Sequence, residues 1–332
     1  MKLNVQYEWG KLEEVVVGYP YFRIGGLPPK MANNYFHPSP EFKRLGFWWT
    51  LLAPKMSFEE FVPKLWAKQN EQINAVIRIL KDRGIIVHQV EKINLSELAF
   101  EEKIGPACLQ QFPRDPILVI GDQYIELPMF MPFRRREKFP IRRTLQNRLN
   151  ELNAAITSSP EPYPLKEDNT GNFGPSAFLE GGDIFLIGKD IYVGNSGNAT
   201  NSQGIAWLQS RLGTGYYVHE IKMSKRFLHL DCALSTPKPG LAIVCREAFP
   251  DGLPDFIRGW KLIEVSQEDA ENKLSCNGFI LDQHSIIIDA NNPKLADQLD
   301  QSGLHVYTTP FDTVAALGGG FRCWHHPLVR TT

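Results

Sequence analysis

The sequence predicts an α/β fold in which a hairpin, helix and strand unit repeats and closes as a ring, giving a single domain with a central pocket. Two observations carry this prediction. β-rich runs come in pairs around tight polar turns, and an amphipathic helical segment with a short strand behind it follows several of these pairs. A third observation concerns function: acidic and histidine residues gather where the hairpins begin.

The hairpin signals run in order along the chain. They are "PILVIGDQYIELPM" (116–129), "DIFLIGKDIYVGN" (183–195), "DCALSTPKPGLAIVC" (231–245) and "NGFILDQHSIIIDA" (277–290). A fifth unit is expected near the start, from "LNVQYEW" (3–9) with "EEVVVGY" (13–19). The helical segment 65–84 places Leu65, Ile73, Ile77 and Leu80 on one face, with Gly84 as its stop. Segments 141–153, 201–213 and 292–303 repeat the pattern, and "IIVHQV", "YYVHEI" and "LHVYT" read as short strands after helices. The copies share pattern rather than residues, so the repeat is structural. Two stretches stand outside it. Residues 25–56, rich in proline and aromatic side chains, are too long for a neutral connection and are expected to form a lid-like insertion. Residues 158–178 form a second long loop, which runs into Glu180.

Composition narrows the function class. Apolar residues make up 43% and charged residues 22%, the balance of a soluble globular protein. A net charge of -1 argues against a nucleic-acid binder. By the same argument "FRRREK" (133–138) reads as the charged side of a loop and helix. No apolar run approaches the ~18 residues of a membrane span. The five cysteines (108, 232, 245, 276 and 323) form no CxxC pair, and the N-terminus carries no secretory pattern. A reducing, cytoplasmic compartment with free thiols is expected.

The residues that carry chemistry lie at hairpin edges. "FPRDP" sets Asp115 just before the first hairpin, "FLEGGD" sets Glu180 and Asp183 before the second, and "LHLDC" sets His229 and Asp231 at the third. "ALGGGFRCWHHP" (316–327) brings Cys323 in near the chain end. Three consecutive glycines cost backbone entropy and suit a place where the chain passes close to something, such as a ligand. In a ring of repeats, equivalent edges face one axis, so these residues meet. Carboxylates there would bind a planar cation through paired hydrogen bonds. A thiolate would attack an electrophilic carbon, with histidine moving the proton. A guanidinium carbon fits that set, and a bound cation would lower the thiol's pKa. The remaining cysteines read as small buried apolar residues. His325 and His326 are adjacent, so in an extended chain they point to opposite faces; no metal site is assigned.

These residues resemble the guanidino-group-modifying superfamily, whose members share a five-bladed, pseudo-symmetric α/β propeller, the pentein fold. The similarity is strongest to amidinotransferases acting on arginine with glycine or inosamine phosphate. It is carried by "EWGKLEEVVVG" (8–18), "FPRDPILVIGDQYIELPM" (112–129), "NSQGIAWLQSRLG" (201–213), "HLD" (229–231) and "LGGGFRCW" (317–324). The resemblance implies Cys323 as nucleophile and His229 as general acid and base. It implies that Asp115, Glu180 and Asp231 hold the guanidinium and orient His229. Asp183, Arg246, Ser275 and Asn277 are expected along the substrate pocket, Arg246 at the substrate carboxylate. Two positions depart from the amidinotransferases: Glu180 stands where they have aspartate, and Arg322 where they have histidine. Both are similar to arginine deiminases, and Arg322 is expected to pair with the substrate α-carboxylate.

The reaction this implies is transfer of the amidino group of L-arginine to an acceptor amine through an amidino-cysteine intermediate, releasing ornithine without metal or organic cofactor. A homodimer is expected by the same resemblance, with no nucleic-acid or membrane partner. The alternatives are hydrolysis of the guanidino group, as in an arginine deiminase or dihydrolase, and a non-catalytic binder of arginine-like ligands. The aromatic run "LGFWWTLL" (45–52), able to close the pocket against water, favours transfer.

Overall fold

Five three-stranded sheets repeat one construction: an antiparallel pair, then a third strand parallel to its second member. The computed structural model describes residues 2–23, 48, 55–100, 107–162 and 176–331. The expected lid, 25–56, lies almost wholly outside these residues, as does most of the loop 158–178.

The four hairpins read from the sequence form as Ile117–Ile120 with Gln123–Glu126, Ile184–Ile187 with Asp190–Asn195, Leu234–Lys238 with Leu241–Val244, and Phe279–Asp282 with Ser285–Asp289. Their parallel partners are Ala155–Ser158, Tyr217–Lys222, Lys261–Glu264 and His305–Thr309. Parallel pairing needs a crossover. Helices Lys138–Glu151, Ser202–Leu212 and Pro293–Asp300 supply it in three blades, and short 3-10 turns supply it in the fourth.

The fifth blade differs from the expectation. Lys11–Val17 does not pair with residues 3–9 as a hairpin; its antiparallel partner is the C-terminal strand His325–Thr331, with Val17 opposite His325 and Val16 opposite His326. Its parallel partner is Ile86–Gln89, reached through helix Pro63–Asp82. Residues 3–9 instead stitch blades together through single bridges, Val5 to Gly121 and Tyr7 to Ile187. The two ends of the chain thus share one sheet, and that pairing closes the ring.

Burial follows the pattern that made these segments legible. Ile117, Leu118, Val119 and Ile120 are all buried, because core packs on both faces of the inner strands. Helix Lys138–Glu151 lays Ile141, Leu145 and Leu149 onto them at i, i+4 spacing. Helix Pro63–Asp82 buries Ile73, Val76 and Leu80, while Leu65 and Ile77 are only partly covered. The third strands sit at the outside, where Ile86, Ile156 and Tyr217 are exposed.

The basic run 133–138 departs from its sequence reading as a solvated face. Arg134, Arg135, Arg136, Glu137 and Lys138 are all buried. Arg135 donates to the carbonyls of Met129 and Phe130, Arg136 to that of Leu98, and Arg134 to Asp115, a carboxylate of the site described below. Charge alone misleads here, since a buried guanidinium is tolerated when its fork of donors is paired.

Leu328, fully buried in the closing strand, tests the ring. Leu328→Ala is expected to cost about 2–5 kcal/mol, read as a fall in the urea midpoint. A change confined to fraying of the last strand, with the midpoint unmoved, would contradict ring closure as a stabilising element.

Candidate active site

Each blade starts with a short segment, a loop, a 3-10 turn or, before the closing strand, the single α-helical turn Phe321–Trp324, and the candidate residues sit there. Asp115 stands two residues before Ile117, Asn277 two before Phe279, and Cys323 two before His325. Glu180 precedes the 3-10 turn Gly181–Asp183, and His229 precedes the turn Leu230–Cys232. Five segments far apart in sequence therefore deliver side chains to one place.

His229 is the centre of the acidic half. Its Nε2 lies 2.8 Å from Glu180 Oε2, and its Nδ1 lies 3.7 Å from Asp115 Oδ1. Glu180 is fixed at its other oxygen by the Phe130 N–H (3.0 Å). Asp115 accepts from the Gly182 N–H (3.1 Å) and from Arg134 Nη1 (2.8 Å). Asp183 accepts the Leu230 N–H (2.9 Å), which pins the turn carrying His229. Asp183 is thus a positioning residue for the histidine turn; burial lifts its carboxyl to about 7, against the pull of His229. Burial alone would lower the His229 pKa, but the Asp115 carboxylate, the Glu180 hydrogen bond and Asp183 outweigh it and hold the imidazolium up to about 10.

Cys323 forms the other half. Its thiol lies 3.6 Å from Asp231 Oδ2, and Asn277 Nδ2 donates to its sulfur at 3.3 Å. Burial, then Asp231 and Asp115, push the thiol well above its ordinary value; the Asn277 donor opposes them. Asp231 is also held by Arg322 Nη1 (3.1 Å). Cys323 is thus a buried thiol set among carboxylates, which favour its protonated form.

The triple glycine has an internal explanation. A Cβ on Gly319 would stand 2.7 Å from the Phe112 ring, and one on Gly320 would stand 2.7 Å from Asn277 Oδ1. These glycines let the cysteine loop approach its own neighbours. Gly182 is the tighter case: a Cβ there would lie 2.5 Å from His229 Nδ1.

Three expected substrate contacts sit differently. Arg322 is buried, with donors directed to Glu8 Oε2, Asp231 Oδ2 and the carbonyls of Gly182 and Ile184. Its guanidinium also lies over Phe185, 4.2 Å from the ring centroid. All its donors face the protein, so it braces the inside of the ring rather than presenting itself to a substrate carboxylate. Arg246 is half-exposed and pairs with Glu264 at 2.7 Å. Ser275 is buried with its hydroxyl 2.7 Å from Asn292 Oδ1.

Glu8, Arg134 and Arg114 were missed by sequence reasoning. Glu8 opens the quoted motif at 8–18, and burial opposed by Arg322, Arg114 and Arg330 leaves its carboxyl below the usual value. Arg134 lay inside the basic run already misread. Arg114 packs against the cysteine loop, its Nε donating to the Arg322 carbonyl and its Nη2 meeting His325 Nε2.

Asp115, Glu180 and His229 offer ligand atoms within 4.8 Å of one another, a spacing a metal could use. The charge there is already balanced, since Arg134 donates to Asp115 and His229 holds its own proton. His325 and His326 do point to opposite faces. The first stacks on Phe279 with both ring nitrogens engaged, and Nε2 of the second accepts the Val119 N–H. Burial and nearby Arg114 hold both neutral.

The fold and the donor set invite comparison with known proteins. A family model described as "N,N dimethylarginine dimethylhydrolase, eukaryotic" matches residues 61–330. The chain belongs to this family of guanidino-group-modifying enzymes. It is an amidinotransferase-family enzyme of the pentein superfamily. It is 28% identical to the mitochondrial glycine amidinotransferase of Gallus gallus, over 96% of this chain and 80% of that protein. It is 23% identical to inosamine-phosphate amidinotransferase 1 of Streptomyces glaucescens, over 97% and 94%. In three dimensions it is similar to an amidinotransferase of saxitoxin biosynthesis from Microseira wollei, with TM-score 0.79 at 23% identity, covering 99% of this chain and 98% of the other. No helix among the described residues is long and apolar enough to cross a membrane.

Two predictions follow from this geometry. Gly182→Ala is expected to displace the imidazole and lower turnover at least ~100-fold, with overpacking costing about 1–3 kcal/mol of stability; unchanged turnover would contradict the packing of His229 on Gly182. The raised His229 pKa also fixes a sign. Its contribution to stability is fully present below about pH 6.5 and is lost as pH rises through about 10. NMR titration of the imidazole should therefore show a charged ring at pH 8, and Glu180→Gln should move its midpoint down.

Proposed function

We propose that this enzyme transfers the amidino group of L-arginine to an acceptor amine by way of a covalent adduct on Cys323. The observation that carries the reading is a buried Cys323 thiol against Asp231 and a His229 held by Asp115 and Glu180, with the Asp115 carboxylate acting on both the imidazole and the thiol. Asp115 and Glu180 are the carboxylates available to a guanidinium, and Asp231 faces the sulfur.

The steps balance with these groups. Arginine enters as a cation, which favours loss of the Cys323 proton to solvent. The thiolate attacks the guanidinium carbon and a C–S bond forms. His229 gives its proton to the departing amine as the C–N bond breaks, releasing ornithine and leaving an amidino-thioether. The acceptor amine then attacks the same carbon, His229 takes its proton, and the C–S bond breaks to return the thiolate. None of these steps calls on a metal or organic cofactor.

A second reading has a specific observation behind it: the matched family model carries a hydrolase description. Water would then replace the amine, with the same cysteine and histidine. We take transfer as primary because full-length similarity runs to amidinotransferases. In this reading the chain works as one catalytic domain. The five free cysteines suit a reducing compartment, and the cytoplasm is the proposed location, although the vertebrate relatives are named as mitochondrial. The homodimer remains part of the proposal.

Incubation with arginine and a panel of primary amines, with products read by mass spectrometry, tests the assignment. Ornithine with a new guanidino compound is expected. Citrulline and ammonia as the main products would replace transfer by hydrolysis. Cys323→Ala should lose turnover by at least ~1000-fold.

A further inference from the structure

We propose that Asn277 is a catalytic residue whose side-chain N–H holds the Cys323 sulfur as a thiolate, both before attack and when the sulfur leaves the amidino carbon. The inference rests on the reading of Cys323 as nucleophile and adds to it the group that bears the sulfur's negative charge.

The carboxamide of Asn277 cannot turn over. Its Oδ1 accepts the backbone N–H groups of Arg322 (2.9 Å) and Cys323 (3.2 Å), and its Nδ2 donates to the Asp231 carbonyl (3.1 Å). A flip would aim the amide nitrogen at two N–H donors and its oxygen at a carbonyl. One Nδ2 proton therefore remains for the sulfur, at 3.3 Å. Asn277 is 1% exposed, so its amide is shielded from bulk solvent.

The opposite side of the sulfur shows why a donor is needed. Asp231 Oδ2, at 3.6 Å, accepts from a thiol but repels a thiolate. Asn277 favours the ionised sulfur and Asp231 the protonated one, so the two groups set the proton's position between them. A guanidinium arriving beside Asp231 would cancel its repulsion and leave the Asn277 contribution standing. Asn277 also occupies the same station in its blade, two residues before the first strand, as Asp115 and Cys323 do in theirs. The missing side chain at Gly320 gives it room to reach the cysteine loop.

The test uses the full chain, with Asn277→Ala and Asn277→Asp compared to the parent. Alkylation of Cys323 by iodoacetamide is followed against pH by peptide mass spectrometry, beside kcat and KM for arginine. A hydrogen bond to a charged partner predicts an alkylation limb about one to two pH units higher in Asn277→Ala, and kcat lower by ~10–100-fold with KM changed far less. Asn277→Asp should be worse than Asn277→Ala on both readouts, because it sets a carboxylate against the thiolate. A purely structural role predicts the reverse order, since aspartate keeps the oxygen that holds the Arg322 and Cys323 N–H groups; that order would overturn the inference. Should Asn277→Asp fail to fold, an unshifted limb in Asn277→Ala overturns it equally. Cys323→Ser separates the two levels. If it turns over arginine like the parent, the nucleophile assignment fails and takes this inference with it. If it is inactive while the Asn277 variants match the parent, only the inference fails.

Discussion

The pairing of Lys11–Val17 with His325–Thr331 is the constraint on which the site depends. It joins the first sheet strand to the last and fixes the inner end of the final strand, where Cys323 sits two residues upstream of His325. Without that pairing the other four blades would still offer Asp115, Glu180, His229 and Asn277, but the Cys323 thiol would not be fixed against them. Five equivalent edges facing one axis turn a sequence separation of two hundred residues into a few ångströms.

Such convergence concentrates charge in the interior, and the structure handles it by pairing. Arg134 lies between Asp115 and Glu137, and Arg322 lies between Glu8 and Asp231. Removing one member of such a pair would leave an uncompensated buried charge, the situation in which internal ion pairs matter most. These arginines touch Asp115 and Asp231, so they set the direction in which those oxygens point. The resulting electrostatics are specific: the carboxylates favour the charged form of the histidine and the neutral form of the thiol.

Much of this was legible in the sequence, for identifiable reasons. Hairpins with two apolar runs around a polar turn, such as 116–129 and 277–290, carry a local signal and formed as expected. So did the helices, with boundaries shifted by a few residues. Asp115, Glu180, His229 and Asp231 stood out because each sits at a hairpin edge. What the sequence obscured was pairing across the chain. Residues 3–9 looked like a strand partner for 13–19 because they are adjacent and β-rich, but the C-terminal strand competes for that edge and takes it. Arg322 looked like a ligand residue because it adjoins the cysteine, and only the position of Glu8, more than three hundred residues away, shows otherwise. The run 133–138 looked solvated because local charge carries no information about distant carboxylates. Gly319 and Gly320 did mark a close approach, but to Phe112 and Asn277.

The central claim is that the sulfur of Cys323 carries the amidino group between donor and acceptor. Intact-protein mass spectrometry after rapid quenching, with arginine labelled at the guanidino carbon and no acceptor amine present, tests it most directly. The account predicts a labelled amidino adduct that maps to Cys323 and disappears when an acceptor amine is added. Steady turnover with the protein unlabelled at every quench time, or a label on another residue, would contradict it.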